Sequence, residues 1–150
     1  MSGFDLTDAE IVQAIADVID DKNETTYVVF TAHAQPNKLV LEGKGVGGLT
    51  EVKALLKDDQ LQFAYYRTIS GDEESHRVKF VLICWAGEGI KKPKLRAVMS
   101  VLKGDVKNNL VKNFHIEIHA TNQDDLVEEE INKKLKKAGG ADYSTNTSSN

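Results

Sequence analysis

The chain has 150 residues, 41% of them apolar and 28% charged, with a net charge of −4, an ordinary mixture for one globular domain that needs no disulfide or metal to fold. A single cysteine, Cys84, excludes an internal disulfide framework and points to a reducing compartment. The acidic N-terminus lacks the basic and apolar regions of a signal peptide, and the longest strongly apolar run, Phe80 to Gly87, is far shorter than the ~20 residues of a membrane helix, so a cytoplasmic protein without membrane contact is expected.

Leu6, Ile11, Ile15, Val18 and Ile19 recur at helical spacing and predict a first helix over Asp5 to Asp21, with Asp5 or Thr7 as its cap. Tyr27 to Thr31 and Lys38 to Glu42 read as strands around the turn at Pro36-Asn37. Gly43 to Gly48 is a glycine-rich strand-to-helix turn, and Leu49 to Lys57 a short helix. Leu61 to Ile69 and Val78 to Trp85 are the clearest strands and form a hairpin across Ser70 to Ser75. The run Phe80-Val-Leu-Ile-Cys-Trp85 is continuously apolar, as a central strand covered on both faces should be. Lys94 to Leu110 reads as a long helix, Phe114 to Ala120 as an alternating strand and Asp124 to Lys137 as a last helix with acids first and lysines last. The segment from Gly139 onward is a Gly-, Ser-, Thr- and Asn-rich tail. Helices on both faces of the sheet are the simplest cover for so apolar a strand.

Few residues suggest chemistry. Gly43-Lys-Gly-Val-Gly-Gly48 fits G-x-G-x-x-G, but the next strand ends in Arg67-Thr-Ile-Ser70 without the acidic residue a dinucleotide ribose needs. His115, Glu117 and His119 share one face of their strand and are the sharpest metal candidate, yet spacing supplies no fourth ligand, so no metal is expected. Cys84 lies in the most apolar strand and reads as a small buried hydrophobe rather than a reactive thiol. No nucleophile elbow and no acid pair is present, so a binding protein without cofactor is expected, not an enzyme.

Charge is more informative. Residues 91–112 carry seven basic groups against Asp105 alone, a local +6 that leaves −10 for the rest of the chain. A basic patch on an acidic protein suits an acidic protein surface better than nucleic acid. Arg96, Lys103 and Lys107 lie beside one another at the margin of the long helix's apolar face. In the hairpin, Asp72 to Glu74 are acidic, and the returning strand puts Arg77 and Lys79 on one face and Val78 and Phe80 on the other.

The stretch Gly71-Asp-Glu-Glu-Ser-His-Arg-Val-Lys-Phe-Val-Leu-Ile-Cys-Trp-Ala-Gly-Glu88 resembles the signature of coactosins, members of the ADF/cofilin-homology family. Leu135-Lys-Lys-Ala-Gly-Gly-Ala-Asp-Tyr143 resembles their C-terminal signature. The resemblance implies an α+β (α/β) ADF-homology domain over residues 1–143, with a five- to six-stranded mixed sheet between helices and a flexible tail over 144–150. It implies a monomeric protein of the actin cytoskeleton that binds filament sides without severing them. Lys79 matches a lysine coactosins use on filaments, Arg77 is its basic neighbour, and His76 replaces the usual lysine. Lys94 and Arg96 fall where relatives carry basic helix residues. Lys103, Lys107 and Lys137 complete the expected actin-binding set. Ala97 replaces a methionine usual in ADF/cofilins, which weakens the case for severing. Two alternatives stay open: binding of monomeric actin through Lys94 and Arg96, and nucleotide binding at Gly43 to Gly48.

Overall fold

The computed structural model describes residues 2–70 and 77–140. Residues 71–75 of the predicted turn, His76, and the tail from residue 141 lie outside the described residues, whereas Gly139 and Gly140, expected in the tail, end α4. The elements run α1 (Ala9–Ile19), β1 (Tyr27–His33), β2 (Lys38–Gly45), α2 (Leu49–Leu55), β3 (Leu61–Ser70), β4 (Arg77–Ala86), α3 (Pro93–Asn109), β5 (Ile116–Ala120) and α4 (Glu128–Gly140), with a 3-10 turn at Gln123–Asp125 before α4.

The sheet has five strands in the order β2-β1-β3-β4-β5. All pairings are antiparallel except β4 with β5, so the sheet is mixed. Strand β4 explains the two-sided cover. Leu82 and Cys84 pack with Ile11, Val18, Phe63, Leu102 and Val106 on the face of α1 and α3. Val81, Ile83 and Trp85 pack with Val52, Leu126, Ile131 and Leu135 on the face of α2 and α4. The unbroken apolar run therefore alternates between two cores rather than between core and water.

Several boundaries differ from the sequence reading, each for a local reason. Helix α1 starts at Ala9 because Asp8 is the cap, its carboxylate accepting from the Glu10 N–H at 2.8 Å. Asp5 is drawn instead into a bridge with Lys38, and the Leu39 N–H donates to its carbonyl at 2.9 Å. Helix α4 starts at Glu128, because Gln123–Asp125 closes into a separate short turn. Strand β2 continues through Gly45, so the first half of the glycine-rich segment is strand, not turn. Those glycines answer packing. A Cβ at Gly43 would lie 2.8 Å from a Leu55 methyl, and one at Gly45 would lie 2.5 Å from the Tyr27 hydroxyl. With Gly43 and Gly45 paired to Val29 and Tyr27, only residues 46–48 are left to turn into α2.

Candidate functional site

The basic residues fall into two groups on different parts of the fold. The first lies at the start of β4. Arg77 is exposed and pairs across the hairpin with Ser70. Lys79 pairs with Thr68 and shares the sheet face of Val81, Ile83 and Trp85, the side covered by α4. It is only 7% exposed, and no carboxylate of the described residues forms an ion pair with its ammonium. Lys137 is exposed in the last turn of α4, on the same side of the sheet.

The alternation expected in this strand holds, with Lys79 buried and Val78 exposed. Val78 on the opposite face is 41% exposed and its cross-strand partner Ile69 is 65% exposed. The reason is where α1 stops. Arg67 donates to the carbonyls of Val18 and Asp20 at 2.8 and 2.6 Å and to that of Asn23 at 2.7 Å, capping the end of α1. Ile69 and Val78 lie one step further along the same face, past the helix end.

The second group belongs to α3. Lys94 is exposed in its first turn. Arg96, expected beside Lys103 and Lys107, turns away from them. Its guanidinium donates to the carbonyls of Gly87, Glu88 and Ile90 at 3.3, 3.3 and 3.0 Å and ties the loop after β4 to the helix. Lys103 and Lys107 reach down to β5. The Lys107 Nζ lies 2.8 Å from Glu117 Oε1, and the Lys103 Nζ lies 3.4 Å from His119 Nε2. Burial pushes the Glu117 carboxyl up, but hydrogen bonds from Lys107 and His119 outweigh it and hold the group below its ordinary range. The hydrogen bond to Glu117 raises the Lys107 ammonium in turn.

His115 does not join Glu117 and His119. β5 begins only at Ile116, and the imidazole leaves the strand face. Its Nδ1 accepts from the Phe80 N–H at 2.9 Å, while its own backbone N–H donates to the Phe80 carbonyl at 2.8 Å. The ring stacks on Phe80, which stacks on Tyr65. Burial, then the positive charge of Lys79, pushes the His115 pKa down. Cys84 takes the place His115 was expected to hold beside Glu117 and His119. Sequence spacing had no means of finding it, because the juxtaposition depends on the parallel register of β4 and β5.

The sequence profile described as "Cofilin/tropomyosin-type actin-binding protein" matches residues 3–136. Coactosin of Entamoeba histolytica is 72% identical over 151 residues, covering all of both chains. The chain belongs to the coactosin branch of this actin-binding family. The crystal structure of the E. histolytica coactosin superposes with a TM-score of 0.89 at 68% identity, covering 94% of this chain and 100% of that one. A solution structure titled mouse coactosin, an actin filament binding protein, matches with a TM-score of 0.72 at 31% identity, covering 94% of this chain and 96% of that one. The fold is thus the ADF-homology fold expected from the hairpin signature, and actin is the partner of the family.

Proposed function

We propose that this protein binds the sides of actin filaments without severing them, acting in the cytoplasm as a monomeric, non-catalytic regulator of the actin cytoskeleton. The observation that carries the reading is Lys79, a nearly buried residue at the start of β4 with no carboxylate of the described residues paired to its ammonium. A filament is an acidic surface, and a lysine whose stem is already packed against its strand loses little freedom when its ammonium meets a carboxylate there. Arg77 beside it and Lys137 on α4 extend the positive surface, and His76 belongs to it by sequence. Lys94 adds an outer contact from α3. Arg96 and Lys107 are weaker members, since their charges already serve acceptors within the chain, and Lys103 is drawn to the side of the His119 ring. The mouse relative's description as a filament binder supports filaments over monomers.

Co-sedimentation with filaments at low salt is the test, with filament length followed in the same samples. The protein should pellet with actin and leave filament length unchanged. Failure to pellet, or filament shortening, would contradict the reading.

A further inference from the structure

We infer that Cys84, Glu117 and His119 form a binding site for a zinc-class divalent cation on the α3 side of the sheet. The parallel register places Cys84 opposite His119, and Glu117, two residues earlier, shares that face. One ligand atom from each of the three lies within 4.8 Å of the others. Thiolate, imidazole and carboxylate are the donors zinc takes, whereas calcium and magnesium want oxygen alone. Three protein donors leave a fourth position for water, and it opens to solvent because the His119 side chain is 54% exposed.

The surroundings support the same assignment. Glu117 presents Oε2 to His119 at 2.5 Å, while Oε1 is held by Lys107 at 2.8 Å. Oε2 can therefore turn to the cation while Lys107 keeps the carboxylate oriented from behind, as outer partners of metal ligands do. A thiolate and a carboxylate together balance the charge of a divalent ion. Burial pushes the Cys84 thiol up to about 12, with Glu117 adding to the rise and Lys103 and Lys107 opposing it, so the metal must displace its proton. Binding forms a sulfur–metal bond, breaks the S–H bond and releases one proton to water. Lys103 is the competitor: its ammonium lies 3.4 Å from the His119 nitrogen, where its charge opposes a cation.

The test is titration of the full chain with Co²⁺ and Zn²⁺. Co²⁺ should bind one to one with a thiolate-to-cobalt charge-transfer band, and Zn²⁺ should bleach it. His119→Gln, on an exposed side chain, should keep the circular dichroism of the parent and weaken Zn²⁺ binding at least tenfold. Lys103→Met should strengthen it several-fold. Cys84→Ala should remove the charge-transfer band. Absence of saturable Zn²⁺ binding up to millimolar concentration overturns the site. So does Zn²⁺ binding of unchanged affinity in folded Cys84→Ala, which would mean surface chelation by exposed histidine and carboxylate alone.

Discussion

The start of β4 and the flank of α3 carry the same type of charge and hold it in opposite ways. On α3, Arg96 and Lys107 each meet an acceptor of the chain itself, three loop carbonyls and a carboxylate, and the Lys103 ammonium lies beside the His119 ring. On β4, Lys79 is more buried than any of them and has no ion-pair partner among the described residues. A count of lysines along the sequence ranks α3 first. The proposed function ranks β4 first, because a cation whose acceptor is supplied internally has less to gain from a partner. Basic patches should therefore be read by what their charges already touch.

The comparison can be broken or sharpened by substitution. The largest effect is expected for Lys79→Glu, which places a carboxylate against an acidic partner and should weaken filament binding by about a hundredfold, on the order of 2.7 kcal/mol. Equal pelleting of this variant and its parent would move the interface off β4. Next, Arg96→Ala should lower stability in urea by about 1–2 kcal/mol, because three carbonyls lose a charged donor, whereas exposed Lys94→Ala should change it by less than ~0.5 kcal/mol. If the two variants melt alike, the loop clamp contributes nothing.

A smaller effect is expected from His115. Its folded pKa lies below its ordinary value of 6.5, so the unfolded chain takes up the proton first. The stability it contributes is fully present above about pH 6.5 and is lost as pH falls through that value toward the folded pKa. Protonation at Nδ1 also removes the acceptor for the Phe80 N–H. His115→Asn keeps an acceptor at that reach without the charge, and should flatten the fall in stability measured between pH 7 and 5. An identical slope would assign the fall to another group. The smallest effect is modestly tighter filament binding as pH drops, through protonation of His76. His76→Gln should abolish it, and persistence of the pH dependence in that variant would place its origin elsewhere.

Much of the fold was legible because its signals are local. The apolar run over 80–85 announced a strand with two covered faces, and Leu95, Val98, Met99, Leu102 and Val106 marked α3 to within a residue at each end. Other features depend on contacts remote in sequence. Asp5 left the first helix for Lys38, and Gly43 and Gly45 were needed by Leu55 and Tyr27. The candidate site divided along the same line. Motif resemblance singled out Arg77 and Lys79, and alternation placed them on one face. Which of the two is buried depended on what packs on the α4 face, and the exposure of Val78 opposite them depended on where α1 ends. The engagement of Lys103 and Lys107, and the approach of Cys84 to His119, follow from the parallel docking of β5, which no spacing within β5 or α3 encodes.

The most direct test of the contrast between β4 and α3 is filament co-sedimentation of Lys79→Ala beside the double variant Lys103→Ala/Lys107→Ala, at equal salt and with both shown to be folded. The account predicts that Lys79→Ala loses at least tenfold in affinity, about 1.4 kcal/mol, while the double variant stays within threefold of the parent. A double variant that stops pelleting while Lys79→Ala still binds would contradict it and place the filament surface on α3.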